Sequence, residues 1–264
     1  MDYQNSFYYL YQIMKQNNKK ISASILVIGN EILSGRTQDL NVAFISNWLN
    51  EKCGINLKEV RIIPDVEKLI VSHVLELSEN FDYVFTTGGI GPTHDDITSK
   101  SISNAFKVKY EYNKKAFNIL KKYYGIAKFN DGRKKMAKMP KGSLLINNPS
   151  SAAPGFKIKN VLCLPGVPSI LKSMINNCRK YLVKGPKILT NSINLHTVES
   201  NIAKSLSKIQ KTHFKNVEIG SYPFFRLGRV GVSVVLSSSK KSKLKECSKD
   251  IMSLVYKKKI KLFK

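Results

Sequence analysis

Acidic residues are few in this chain. Of its 264 residues only 18 are Asp or Glu, against 44 Lys and Arg. No run of about 18 apolar residues occurs, so no transmembrane helix is expected. Glycine periodicity, heptad-type composition and dense cysteine are all missing, which excludes collagen-like, coiled-coil and disulfide-scaffold classes. The four cysteines, Cys53, Cys163, Cys178 and Cys247, are widely spaced with no CxxC pair. That excludes an evident zinc site or disulfide framework and points to reduced thiols, with a cytoplasmic location as the expectation. Cys163 sits in the apolar run Val161-Leu162-Cys163-Leu164 and reads as a buried small hydrophobe.

Arginine is scarce as well. It occurs only at positions 36, 61, 133, 179, 226 and 229, so the formal charge of +26 is carried almost wholly by lysine. Clustered basic residues attract phosphate backbones, but Arg is the residue suited to bidentate phosphate and base contacts. The excess therefore reads as a compositional bias, with no specific nucleic acid as partner and no membrane.

Hydrophobic residues make up 42% of the chain, enough for a packed core. The length fits one large domain or two small ones. Residues 1–20 stand apart: an aromatic patch from Phe7 to Met14 precedes Lys15, Lys19 and Lys20. A signal peptide has the reverse order, so this reads as an N-terminal extension.

From residue 21 the chain alternates. Ile25 to Ile28, Leu57 to Ile63 and Tyr83 to Phe85 read as buried strands. Asn41 to Lys52, Val66 to Leu77 and Ile97 to Phe106 read as helices. Such alternation predicts a parallel sheet with helices on both faces, in which ligands bind beyond the carboxyl ends of the strands. Further on, Lys114 to Tyr124 reads as a helix, Val161 to Leu164 as a strand, and Ser169 to about Tyr181 as a helix. Lys184-Gly185-Pro186 marks a boundary. Beyond it, Ile188–Leu195, Val217–Ser221 and Gly231–Ser237 read as strands, and Val198–Ile209 and Lys243–Tyr256 as helices. The expected organisation is an extension (1–20), an α/β domain (21–184) and a small α+β domain (185–264).

Three loops carry possible chemistry. Gly29 to Asn41 brackets Glu31 and Asp39, which could hold a hydroxyl or a metal or simply cap a helix. Thr86-Thr87-Gly88-Gly89-Ile90-Gly91-Pro92-Thr93-His94-Asp95-Asp96 lets backbone N–H groups approach a phosphate. Its two adjacent carboxylates would repel that phosphate unless a cation intervenes. The third is Asn148 to Gly155 together with Leu164 to Ser169, where small residues before a helix can also cradle an anion.

Taken together these loops resemble the molybdopterin-binding (MoaB/Mog-like) fold family, and within it the branch containing competence/damage-inducible protein A (CinA) and the amino-terminal domain of eukaryotic FAD synthase. The matching strings are Gly29-Asn30-Glu31-Ile32-Leu33-Ser34-Gly35 with Asp39 and Asn41, then Thr86 through Thr98, Asn148-Pro149 with Ala153-Pro154-Gly155-Phe156, and Pro165-Gly166-Val167-Pro168. Gly220-Ser221-Tyr222-Pro223 matches in the small domain, which is similar to a KH-like subdomain but has no GXXG between two helices. The resemblance implies a three-layer α/β/α fold with a mostly parallel sheet, a small C-terminal α+β (KH-like) domain, and a homo-oligomer.

It also implies an activity: metal-dependent pyrophosphatase chemistry on ADP-ribose or FAD. Adenylyl transfer to molybdopterin, and pterin or nucleotide binding without turnover, are the alternatives. The implied catalytic residues are Asp39, Asp96 and Glu31. Thr87, Gly88, Gly89, Gly91, Asn148 and Gly166 would bind phosphate or nucleotide, and Asp95 and Asp96 a divalent metal (Mg, Mn or Co). Molybdopterin is a further candidate ligand. Lys100 or Arg133 would neutralise developing charge. Departures are visible: Asn30 stands where the family often has Asp, the Asn-x-Lys-Gln-Ala segment of the family appears only as Arg133-Lys134-Lys135-Met136-Ala137, and neither the deamidase domain of full CinA nor an FAD-synthesising domain follows. Nicotinamide mononucleotide deamidation and FAD synthesis are therefore not expected of the chain alone.

Overall fold

The computed structural model describes residues 21–226 and 228–263. The N-terminal extension expected at residues 1–20 lies outside them. The chain forms two units, one ending at Gly185 and one running from Pro186.

The first unit is built on β1 (Ser22–Ile28), β2 (Asn56–Ile63), β3 (Tyr83–Thr87) and β8 (Val161–Leu164), all parallel, in the order β2-β1-β3-β8. β1 shows why its run is apolar without alternation: both of its faces are buried. Ala23, Ile25 and Val27 pack with Ile45, Trp48, Leu171 and Met174. Leu26 and Ile28 pack on the opposite face with Ile70, Val74, Leu77, Ile102 and Leu120. Helices α2 (Asn41–Trp48) and α7 (Pro168–Met174) thus cover one side. α3 (Glu67–Asn80), α4 (Thr98–Ala105) and α5 (Lys114–Tyr124) cover the other, giving three layers. Burying the Trp48 ring is made compatible with its polar nitrogen by Asn176, whose Oδ1 accepts the indole N–H at 2.9 Å.

The sheet is not parallel throughout. β7 (Gly155–Ile158) runs antiparallel to β8, and β6 (Leu144–Ile146) antiparallel to β7. A separate ribbon pairs β4 (Tyr110–Tyr112) with β5 (Lys138–Pro140), and two short helices, α1 (Asn30–Leu33) and α6 (Asp131–Lys135), sit in loops. Two expected helices change form before they end. α2 widens into a π turn over Leu49–Cys53 and stops at Gly54 in the left-handed region (φ 66°). α7 tightens into 3₁₀ turns over Ile175–Tyr181.

The register that matters is β1 against β3 and β3 against β8. Val27 lies opposite Thr87, and Thr87 opposite Leu164. The carboxyl ends of three strands therefore finish level, and the three glycine-bearing loops leave from one edge.

The second unit follows the order β9 (Leu189–His196), α8 (Glu199–His213), β10 (Glu218–Arg226), β11 (Arg229–Ser238), α9 (Lys241–Lys257), β12 (Lys261–Leu262). Its antiparallel sheet has the order β10-β11-β9-β12, a split βαβ arrangement. Leu195, Val232, Val234 and Leu236 meet Ile202, Leu206, Leu244, Cys247 and Ile251, so both helices lie on one face.

All four thiols are buried. Burial pushes Cys163 and Cys178 up to about 12 and Cys247 up to about 11, and raises Cys53 as well. Among the described residues no helix is long and apolar enough to cross a membrane.

Candidate functional site

β3 ends in buried Thr86-Thr87, and the chain then turns through Gly88 and Gly89 with φ of 101° and 67°. Both positions exclude a side chain on sterics as well as on backbone conformation. A Cβ on Gly88 would lie 2.1 Å from the Ile28 carbonyl oxygen, and one on Gly89 2.1 Å from Thr98 Oγ1. The turn is threaded between the end of β1 and the start of α4. Gly166, after β8, closes on it from the third side, with a hypothetical Cβ 3.3 Å from Gly88 Cα. The Gly88 N–H donates to the Leu164 carbonyl at 3.1 Å. Gly88 thus welds strand ends together, which leaves the cradle N–H groups expected at this loop to Gly89 and Gly91.

The acids around this turn play different parts. Asp96 Oδ2 accepts from the Thr93 N–H at 2.8 Å and the Thr93 hydroxyl at 2.5 Å, pinning the loop into shape. Asp95 is exposed. The Thr93 hydroxyl holds its carboxyl below the usual carboxylate range, helped by its own N–H, His94 and Lys135. Lys135, from α6, also donates to the Thr93 carbonyl. Glu31 is half-buried and folds back over Gly29, where a Cβ would come within 2.7 Å of its Oε1.

A further carboxylate joins them. Asp65 follows β2 and its Oδ2 accepts the Asn30 N–H at 3.0 Å. Burial pushes its carboxyl up, and the negative charges of Glu31, Asp95 and Asp96 push it further, against the lowering effect of the Asn30 bond. Four of the 18 acids, Glu31, Asp65, Asp95 and Asp96, therefore share one electrostatic neighbourhood.

Beside the turn lies a small cleft of about 50 Å³, lined by Glu31, Thr37, Gln38, Asp39, Leu40, Asn41, Thr87 and Gly166 among others. Asp39 Oδ1 accepts the Val42 N–H at 2.8 Å and so caps the first turn of α2, while the residue still borders the cleft. Asn41 reaches across to donate to the Gly166 carbonyl at 2.7 Å. Asn41 Oδ1 and Thr87 Oγ1 are buried at this cleft with no hydrogen-bond partner among the described residues. A bound group that donates hydrogen bonds would satisfy both.

Glu31, Asp39, Thr87 and Gly166 are thus brought to one cleft, and Gly88, Gly89, Gly91, Asp95 and Asp96 to the adjoining turn. Asn148 stands apart. Its Nδ2 donates to Ser151 Oγ and the Ala153 carbonyl, and its Oδ1 accepts from the N–H groups of Ser150 and Ser151. It closes its own loop. Arg133 lies 4.2 Å from the Tyr124 ring centroid and donates to the Lys128 carbonyl, and Lys100 pairs with Glu67 at 3.7 Å. Lys135 is the cation that reaches the turn. Sequence reasoning passed over Asp65 and Lys135. Pro64-Asp65 reads as a strand terminator, although an acid just past a parallel strand's carboxyl end was a usable signal.

The donor set here is carboxylate oxygen, which suits a hard divalent cation. Among the described residues no three His, Cys, Asp or Glu side chains form a ready ligand group, so such an ion would need substrate oxygens to complete its shell.

Residues 24–184 match the family described as "Probable molybdopterin binding domain", and residues 187–264 match "FAD synthase, middle domain". A protein of Archaeoglobus fulgidus is 32% identical, over 88% of this chain and 96% of its own length. A CinA-like protein of Sulfurihydrogenibium is 38% identical over 58% of this chain, which spans 40% of that relative. A "Probable FAD synthase" of Caenorhabditis elegans is 31% identical over 76% of this chain and 44% of its own length. Among solved structures, the protein CinA of Thermoplasma acidophilum, described as of unknown function, superposes with a TM-score of 0.57. It is 32% identical, over 61% of this chain and 99% of that one.

Proposed function

Since the chain belongs to the molybdopterin-binding domain family, in its CinA-like branch and with an FAD synthase middle domain following, we propose that it is a metal-dependent nucleotide pyrophosphatase acting on a dinucleotide such as ADP-ribose or FAD. The observation that carries this reading is the gathering of Glu31, Asp65, Asp95 and Asp96 beside a glycine turn in a chain otherwise poor in acid.

The reaction adds water to one phosphorus and breaks the P–O–P bridge, releasing AMP and the other phosphorylated half. The N–H groups of Gly89 and Gly91 hold phosphate oxygens. Asp95 and Asp96, with Asp65 in the same electrostatic neighbourhood, would hold a divalent ion of the Mg, Mn or Co type. Such an ion would offset the negative charge of carboxylates and phosphate and make the attacking water more acidic. Glu31 orients the attacking water. Asp39, with one oxygen committed to α2, offers the other to a sugar hydroxyl, and Asn41 Oδ1 accepts from the same ligand. Lys135 offsets charge at the turn. Phosphoryl chemistry is accelerated mainly by such positioning and electrostatics. A homo-oligomer is part of this reading and is checked by light scattering.

The test is incubation of the purified chain with ADP-ribose or FAD and Mg²⁺, Mn²⁺ or Co²⁺, with AMP as the readout. AMP is expected with metal and absent with chelator. Asp95→Asn, which leaves the Thr93–Asp96 bonds in place, is expected to lose at least about a hundredfold in rate. Full activity in that variant, or no AMP from any dinucleotide, refutes the proposal.

A second reading, binding of a pterin or nucleotide without turnover, is favoured by two observations: the lack of a three-ligand metal group among the described residues, and the unpartnered oxygens at the cleft. Molybdopterin binding by calorimetry without AMP release would establish it in place of the first.

A further inference from the structure

The second unit presents a sheet face that the proposed chemistry does not use. α8 and α9 cover one side of the sheet. On the other side Thr190, Ser192, Asn194 and His196 of β9 are all exposed. Aromatic rings cross this outward face. In β10, Phe224 pairs with Gly231 of β11 and lies over it, so that a Cβ there would stand 2.4 Å from the ring. Its ring meets Phe263 edge-on at 5.0 Å, and Phe263 lies 5.6 Å from the tilted ring of His196. Two residues before Phe224 on the same face, Tyr222 is 59% exposed.

Charge at the same end of the face is of one sign. Arg226 and Arg229 are direct cross-strand partners and both are exposed. Like charges so placed destabilise a sheet, and a local conflict of this kind marks a site shaped for something other than stability. Lys261 pairs with His196 at the opposite edge. The acid on the outward side of β10 is Glu218, at the far end of that strand from the arginine pair. Three of the remaining four arginines are engaged within the chain: Arg61 with Glu59 and Glu76, Arg133 over Tyr124, and Arg179 with the Lys52 carbonyl. Arg226 and Arg229 have no such partner among the described residues.

We propose that this face binds single-stranded nucleic acid. Bases stack on Tyr222 and on the Phe224–Phe263–His196 cluster, and phosphates meet Arg226, Arg229 and Lys261. Exposed rings need unstacked bases, which a duplex does not offer. A second copy of the chain would bring the same three cations against themselves, so self-association through this face is opposed by charge. The hydroxyl and amide groups along β9 accept any base edge, which predicts low sequence preference.

The test uses the full chain and fluorescein-labelled oligo(dT) and oligo(U) of about 12 nucleotides, a length within the usual site size, with a duplex of equal length for comparison. Anisotropy is followed as salt is raised. Both single strands are expected to bind more tightly than the duplex. Tyr222→Ala is expected to weaken binding about tenfold with an unchanged thermal midpoint. The double variant Arg226→Gln/Arg229→Gln is expected to lower the slope of log K against log salt by about two without loss of stability. Equal binding of duplex and single strand, no binding, or full affinity in Tyr222→Ala would overturn the proposal and leave only diffuse attraction to lysine.

Discussion

Single residues at the strand ends do two jobs that can be separated by measurement. Gly88 joins β1, β3 and β8 in a space with no room for a Cβ and with a positive φ. Gly88→Ala is therefore expected to cost at least about 2 kcal/mol in denaturant unfolding, before any effect on ligand. Asp65 carries the opposite signature. Its carboxyl titrates above the unfolded value, so the stability present when it is protonated is lost as pH rises through the folded pKa. Asp65→Asn keeps an acceptor for the Asn30 N–H and removes a charge from a crowded set. At neutral pH it should raise the unfolding midpoint while reducing AMP release, and the gain should shrink as pH falls through the raised folded pKa and be gone by about pH 4. A destabilised Asp65→Asn at pH 7 would show that the carboxylate serves the fold instead.

At the scale of elements, the loop from Asn148 to Gly155 gives a clear choice. Asn148→Ala would leave the N–H groups of Ser150 and Ser151 and the Ala153 carbonyl without their partner. A loss of about 2 kcal/mol is expected from unfolding curves. If the residue bound phosphate, ligand affinity would fall and stability would hold. The same scale shows what was legible in the amino acids. Strands buried on both faces, such as β1 and β8, announce themselves by unbroken apolar runs, and the glycine strings mark the loops that meet at the strand ends. The short strands β4 to β7 do not. Each has only three or four residues, too few for a period to establish itself. β12, two residues of exposed chain, owes its pairing to β9 and not to local preference. Lys135 gave no such signal and Asp65 only its place just past a strand, because their roles arise from neighbours 30 to 42 positions away in sequence, at the end of β2 and on α6.

Over the whole molecule, each unit has its own buried cluster, and the second buries twelve apolar residues between its sheet and two helices. A fragment of residues 186–264 is expected to unfold cooperatively by itself, with a well-dispersed amide spectrum. A collapsed spectrum would mean that its core depends on the rest of the chain. The positive charge reads differently once its carriers are located. Most lysines dilute into solvent, whereas the scarce arginines separate into engaged and unengaged sets, and four of the 18 acids share one edge of the first sheet.

The buried thiols have a practical corollary. A thiolate is the reactive form, and none of the four native sulfurs presents one near neutral pH. A disulfide-exchange reagent should find no sulfur in the native protein and four after denaturation. An engineered surface cysteine would then be the sole handle for maleimide chemistry, so spin labels or dyes could be placed at one chosen site on either unit without first stripping the protein of its own cysteines.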